Sequence, residues 1–326
     1  MNLFENMEKP ETIGGYFELE LAQGEQFHKG AIALNSGRSC LKYLIKSRGI
    51  TRIHLPYYIC DAVTEVLTAS EVVIKYYHIN KNLEPVSLPE IKSTGEYVLY
   101  VDYFALMNKT VQRLARIYSS RLIVDNSQAF YSLPIRGIDT FYSPRKFFGV
   151  PDGGYLYTDG KLLAIEDQSF SYDRMSHLAK RIDLSPEAGF NDYQENEKKF
   201  GRSTIAQMSK LTEKLLSSID YKRVESRRKK NFKILHQAFK DQNILSLRLG
   251  KCAVPMVYPL LLDRRIDRTK LYESGLYTAQ YWHSVLDATG IGTIERDIVE
   301  KTIFLPVDQR YSSDDIREII RRVSLL

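Results

Sequence analysis

The chain has 326 residues, 44% of them hydrophobic and 26% charged, with a formal net charge of +6. That composition supports a sizeable core, built as one large domain or two moderate ones, and points to an ordinary globular protein. No run approaches the roughly 18 consecutive apolar residues of a membrane span. The start Met1-Asn2-Leu3-Phe4-Glu5 lacks the basic and apolar regions of a signal peptide, so a cytoplasmic protein with no membrane partner is expected.

The predicted elements begin with helical stretches that alternate, through about residue 160, with short apolar runs. These are Ala31-Ile32-Ala33-Leu34, Ile53-His54-Leu55, Val72-Val73-Ile74, Tyr97-Val98-Leu99-Tyr100-Val101 and Leu122-Ile123-Val124. Continuous apolar strands separated by helices predict an α/β domain with a mostly parallel sheet covered on both faces. The segment 166–203 is polar, with Asp167, Asp173, Glu187, Asp192, Glu195 and Glu197, and reads as an extended connection. From Ile205 to Phe239 apolar residues return at helical spacing (Met208, Leu211, Leu215, Leu216, Ile219, Phe232, Leu235), predicting a long helix or a broken pair. A smaller α+β unit follows, with strands at 256–262 and 302–305 and a last helix over 313–325 opened by a Ser-Asp-Asp cap. The expected division is an N-terminal arm and large domain over 1–205, and the long helix with a small C-terminal domain over 206–326.

Cys40, Cys60 and Cys252 are odd in number and widely spaced, which argues against a disulfide framework and against a zinc site. No metal is expected. The densest basic run, Arg227-Arg228-Lys229-Lys230, lies inside a helical pattern and reads as a solvated face, so nucleic acid is not an expected partner.

Three stretches carry chemistry. Asn35-Ser36-Gly37-Arg38-Ser39-Cys40-Leu41 follows an apolar strand and opens an amphipathic helix. Free N–H groups and the helix dipole favour an anion there, Gly37 permits close backbone approach, and Ser36, Arg38 and Ser39 offer donors. An ordinary capped helix has the same pattern, so this stretch alone does not select a phosphate. Val124-Asp125-Asn126-Ser127-Gln128 ends a buried strand, where ligands of open α/β sheets gather. A carboxylate there suits a protonated pyridine nitrogen, and Gln128 suits a ring hydroxyl or the ring face; a turn or helix cap is the plainer use of Asp125. The third stretch runs Phe141-Tyr142-Ser143-Pro144-Arg145-Lys146-Phe147-Phe148-Gly149, then Val150-Pro151-Asp152-Gly153-Gly154. A lysine among aromatics is expected to be desolvated, which frees its amine as a nucleophile toward an aldehyde.

Phosphate loop, strand-end Asp and lysine in that order resemble the fold-type-I pyridoxal phosphate (PLP) enzymes, and within them the DegT/StrS family of sugar aminotransferases. The family's Ser-Gly-Thr-x-Ala-Leu is matched by Ser36-Gly37-Arg38-Ser39-Cys40-Leu41, and its Pro-x-Tyr by Pro56-Tyr57-Tyr58. Its Asp-x-x-Gln-Ala is met by Asp125-Asn126-Ser127-Gln128-Ala129, and its Ser…Lys…Gly-Glu-Gly-Gly by Ser143, Lys146 and Pro151-Asp152-Gly153-Gly154. A late Gly-Ile-x-Thr and Leu-Pro resemble Gly275-Leu276-Tyr277-Thr278 and Leu305-Pro306, so the likeness runs from about Gly30 to the C-terminus. The chain departs from the family at Arg38, usually a small hydroxyl residue, and at Cys60, often an aromatic. Ser143 and Lys146 are three apart where the sugar enzymes mostly have five. The inter-subunit loop Gly-Tyr-Asn-Tyr-Arg is half met by Gly189-Phe190-Asn191-Asp192-Tyr193; Asn191 fits, and Arg202 is a candidate for the missing arginine.

The resemblance implies that Lys146 carries PLP as a Schiff base and later shuttles a proton. It further implies that Gly37, Arg38, Ser39 and Ser143 hold the phosphate, Asp125 the ring nitrogen, Gln128 and Tyr58 the ring, and Asn191 the cofactor phosphate of a partner subunit. A homodimer with shared active sites is then expected. It would pass an amino group from a donor such as glutamate to a nucleotide-linked keto sugar, for surface polysaccharide or related sugars. A lysine at this position argues against the related dehydratases, which carry His. PLP chemistry on an amino acid or small ketone, and a PLP-binding protein without turnover, remain open alternatives. His54 and His78 read as core or boundary residues and Trp282 as interface packing, with Tyr103 able to face the cofactor.

Overall fold

The computed structural model describes residues 13–201 and 203–325; Arg202 lies outside them. In chain order, β1 (Ile32–Leu34), α1 (Gly37–Arg48), β2 (Arg52–Pro56), α2 (Asp61–Ala69), β3 (Val73–Tyr77) and β4 (Glu96–Val101) come first. Then follow α3 (Asn108–Tyr118), β5 (Leu122–Asp125), β6 (Asp139–Tyr142) and β7 (Gly154–Tyr157). These seven strands make one sheet in the order β1-β7-β6-β5-β4-β2-β3. β7 runs antiparallel to both neighbours and every other pairing is parallel. Because β1 and β6 both oppose β7, they run the same way. The C-terminal ends of β1, β2, β4, β5 and β6 therefore share one edge of the sheet.

The five apolar runs are all strands. β4 and β5 are buried at every position, as central parallel strands covered on both faces must be, whereas the edge strand β3 leaves Val73 and Tyr76 exposed. Helix α1 is set by its ends. Ser36 is extended and accepts from the Ser39 N–H, while Gly49 closes the helix in the left-handed conformation at φ 61°, its N–H on the Ile45 carbonyl. Arg48 forks onto the buried Asp139 with two contacts of 2.8 Å, tying the end of α1 to the start of β6. Outside β1, the segment around Ala206 adds further pairing, Asn35 N–H to Ala206 O at 2.9 Å and Met208 N–H to Ala33 O at 3.2 Å.

The polar segment 166–203 is not an extended connection. It contains α4 (Ser176–Asp183) and α5 (Pro186–Gly201), packed as a helical hairpin. Pro186 occupies the first turn of α5, where its missing N–H costs nothing. Gly189 lets the helices cross closely, since a Cβ there would lie 2.8 Å from the His177 carbonyl oxygen. Lys180 and Asp192 pair across the hairpin at 2.6 Å. Few residues of the hairpin are buried, and Ile182, Leu184 and Phe190 are exposed, which is why no apolar period announced it.

The predicted long helix is a broken pair, α6 (Lys210–Ser217) and α7 (Tyr221–Phe239), with Asp220 capping the second through the Arg223 N–H at 2.9 Å. Next come β8 (Val257–Leu261), α8 (Arg268–Glu273), α9 (Val285–Ala288), α10 (Ile294–Lys301), β9 (Thr302–Pro306) and α11 (Ser313–Ser324). β8 and β9 form a two-stranded antiparallel sheet. The cap of α11 is a reciprocal box between Ser312 and Asp315, one residue ahead of the Ser-Asp-Asp reading. One apolar cluster surrounds the large sheet; a second, including Phe232, Leu235, Tyr258, Ile303 and Ile316, joins α7 and α11 to β8 and β9. None of the described helices is long and apolar enough to cross a membrane.

Candidate active site

Strands are added outward on opposite sides of the boundary between β2 and β4, β3 beyond β2 and β5 to β7 beyond β4, and ligands of open α/β sheets bind beyond the strand ends at such a switch. Five strand ends deliver Ser36 and Gly37, Tyr58 and Cys60, Tyr103, Asp125 to Gln128, and Ser143 to Lys146 to one edge.

At the first of these, Gly37 and Arg38 open α1 with N–H groups that have no intrahelical acceptor. A Cβ on Gly37 would lie 3.7 Å from Ser127 Oγ and 3.9 Å from Ser143 Cβ, so both serines flank the helix start. Ser39 is engaged elsewhere: its hydroxyl lies 3.1 Å from Ser36 Oγ and donates to the Thr204 carbonyl at 3.3 Å. Arg38 leans toward Glu65, 3.8 Å away, and its Nε has no partner among the described residues. The start of β7 holds this loop in place. Gly153, at φ +118°, donates its N–H to Asn35 O at 2.8 Å, and a Cβ on Gly154 would lie 2.5 Å from both Ser36 C and O. Gly154→Ala is therefore expected to push the Ser36 backbone away, costing about 1–3 kcal/mol of stability. Thermal melts of the variant check this.

At the end of β5, Asp125 is 5% exposed and accepts the Ser127 N–H at 2.8 Å. Burial pushes its carboxyl above the usual range, opposed by the positive charge of Lys146 and by Ser127. Gln128 is 1% exposed; its Oε1 accepts the Phe104 N–H at 3.1 Å while its Nε2 has no acceptor among the described residues. A buried amide donor without an acceptor and a buried carboxylate short of a cation are both unfavourable alone. Each is relieved by a flat ring with an acceptor oxygen and a protonated nitrogen. PLP fits these residues on that ground, with the start of α1 for its phosphate.

Lys146 ends a single 3₁₀ turn, Pro144–Lys146, directly after β6. The expected desolvation is not found: Phe147 and Phe148 are buried, and by anchoring inward they leave Lys146 exposed on the turn. Its charge reaches Asp125 and Cys60. Cys60 is partly buried; burial raises its thiol, and Lys146 and the Ala62 N–H act against that. The residue before the lysine is the desolvated one. Arg145 pairs with Glu197, lies 4.3 Å from the Phe200 ring centroid, and is lowered by burial to about 10.

Tyr58 is fully buried, donates to the Tyr281 carbonyl at 2.9 Å and packs against Trp282 at 4.8 Å, so it serves the contact with the C-terminal unit. Tyr103 donates to the Tyr58 carbonyl at 2.7 Å. His54 bonds Glu96 at 2.8 Å and His78 bonds Glu295 at 3.1 Å, both away from Lys146. Asn191 is exposed on α5, and no hydrogen bond among the described residues joins it to the lysine turn. Ser127 carries no signature of its own in the sequence; the fold brings its hydroxyl to Gly37. Among the described residues no group of three or more His, Cys, Asp or Glu side chains is placed to hold a metal.

No family model and no curated protein matches the chain. Solved structures do. A DegT DnrJ EryC1 StrS aminotransferase from Brucella abortus is 14% identical, with a TM-score of 0.60 over 90% of this chain and 85% of that one. PseC of Helicobacter pylori, an aminotransferase involved in the biosynthesis of pseudoaminic acid, is 15% identical at TM-score 0.58, covering 91% and 86%. NtdA from Bacillus subtilis, solved with bound cofactor PMP, is 15% identical at TM-score 0.61, covering 90% and 72%. Across 90% of its length the chain has the fold of the fold-type-I aminotransferases of the DegT/DnrJ/EryC1/StrS kind.

Proposed function

We propose that the chain is a PLP-dependent aminotransferase that takes an amino group from an amino acid such as glutamate and delivers it to a nucleotide-linked keto sugar. The observation that carries this reading is the convergence of Lys146, Asp125, the orphaned Gln128 amide and the open start of α1 on one sheet edge. When bound, PLP supplies an electron sink for negative charge at the substrate carbon. Lys146 Nζ holds the cofactor and moves a proton at that carbon. Asp125 keeps a proton on the ring nitrogen, Gln128 Nε2 donates to the ring's oxygen, and Gly37, Ser127 and Ser143 bind the phosphate.

A homodimer is part of the proposal. Lys146 is open on a single chain, and Phe170, Tyr172, Ile182, Leu184 and Phe190 leave apolar surface on and beside the neighbouring hairpin. One observation favours a second reading, PLP chemistry on a smaller ketone or amino acid: Asn191 lies on a helix rather than in a loop. The test is to load the protein with PLP, add glutamate, and follow the near-visible band. Bleaching is expected, with recovery on adding nucleotide-linked keto sugars; recovery by keto acids alone selects the second reading. A band that survives every amino donor overturns transfer altogether.

A further inference from the structure

The basic run Arg227-Arg228-Lys229-Lys230 is not a uniformly solvated face. Arg228 is 2% exposed, among the largest fully buried side chains described. Among the described residues its guanidinium donates to four oxygens and no carboxylate: Gln309 Oε1 at 3.0 Å, Pro255 O at 3.3 Å, Met256 O at 3.1 Å and Phe147 O at 3.1 Å. Asp308, the opposite charge nearest in effect, is bonded to Arg310 at 2.7 Å. A buried cation satisfied by neutral oxygens alone is a poor way to stabilise a core, and an apolar side chain of similar size commonly does as well or better. Its value lies in the five-donor planar fork, which fixes several backbone segments relative to one another.

Those segments are the two sides of the proposed cofactor cleft and the C-terminal unit. Phe147, the residue after Lys146, has its ring centroid 4.5 Å from the guanidinium, and its carbonyl also accepts from Gln309 Nε2 at 2.8 Å. The Met256 carbonyl that accepts from Arg228 belongs to a residue whose N–H donates to Phe104 O at 3.1 Å. The Phe104 N–H in turn donates to Gln128 Oε1 at 3.1 Å, and Phe104 is held at φ +58°. An unbroken path of hydrogen bonds and single residues thus runs from Gln128 through Phe104, Met256 and Arg228 to the lysine turn.

We propose that Arg228 is the positioning residue of this site: it fixes the backbone that carries Lys146 and locks that turn to the Gln128 side and to the β8–β9 unit. The inference rests on the reading of Lys146 as the group that holds PLP, and its test separates the two. Amide exchange of the cofactor-free full chain, read by mass spectrometry, reports on segment 143–150; PLP titration and steady-state kinetics report on the site. Arg228→Met, Arg228→Lys and Gln309→Leu are compared with Leu271→Ala, which opens the second apolar cluster away from the turn.

Arg228→Met and Gln309→Leu are expected to speed exchange over 143–150 and weaken PLP binding, each by about tenfold, with kcat falling more than KM rises. Arg228→Lys, a point donor, is expected to behave like Arg228→Met. Leu271→Ala should lower the melting temperature and leave those readouts unchanged. The proposal is overturned if Leu271→Ala reproduces the changes at equal loss of stability, or if Arg228→Lys matches the wild type. Should Arg228→Met fail to fold, Gln309→Leu decides by the same comparison. Wild-type protein that binds no PLP sinks the reading of Lys146, while the exchange comparison still decides what Arg228 does.

Discussion

Lys146→Ala is expected to abolish covalent attachment of PLP and to lower amino-group transfer about ten-thousandfold, the combined loss of a nucleophile and a general acid–base. The variant should show no near-visible band of a lysine-held cofactor, yet fold normally. Its side chain is exposed, and neither a hydrogen bond nor an ion pair to it is found among the described residues, so truncation removes no structural contact. Unchanged thermal melts of the cofactor-free protein, beside lost absorbance after PLP is added, distinguish a chemical role from a structural one. Retention of the band would place the cofactor on another amine.

The second large effect is expected at Asp125. Asp125→Asn keeps an oxygen for the Ser127 N–H but cannot hold a proton on a ring nitrogen by charge, so kcat should fall about a hundred- to a thousandfold while PLP still binds. Stability should move the other way in the cofactor-free protein. Burial raises the folded-state pKa of this carboxyl, so the stability it contributes is present when it is protonated at low pH and is lost as pH rises through the folded value. At neutral pH the Asn variant should therefore melt at or above the wild-type temperature, with the gap closing toward acid. Melting curves from pH 4 to 8 on cofactor-free protein check the sign; a variant that is both inactive and destabilised at neutral pH contradicts the account.

Much of the large sheet was legible because buried parallel strands write themselves as continuous apolar runs, as at 97–101 and 122–124. β6 was not, since Asp139 and Thr140 open it, the first compensated by Arg48 arriving from α1 and the second by the Ile138 carbonyl. The hairpin of α4 and α5 escaped for a related reason. Its helices are held by a glycine crossing, by Asn196 on the Pro151 carbonyl at 2.9 Å and by Arg145 on Phe200, contacts that leave no apolar period in the sequence. The lysine stretch is recognisable from Lys146 with Ser143 and the glycines, but the exposure of the lysine is not. Aromatic neighbours suggested a buried lysine, whereas the short turn buries Phe147 and Phe148 and turns Lys146 outward. The desolvated cations, Arg145 and Arg228, are identifiable only once distant segments close around them. Ser127 likewise gains its place at Gly37 only from the pairing of β5, β6, β7 and β1 in one sheet.

Reduction followed by peptide mapping is the direct test of whether Lys146 holds PLP. Protein incubated with PLP, treated with borohydride and digested should carry one pyridoxyl group, on the peptide containing Lys146. Labelling of other lysines at comparable yield, or no label at saturating PLP, would contradict it.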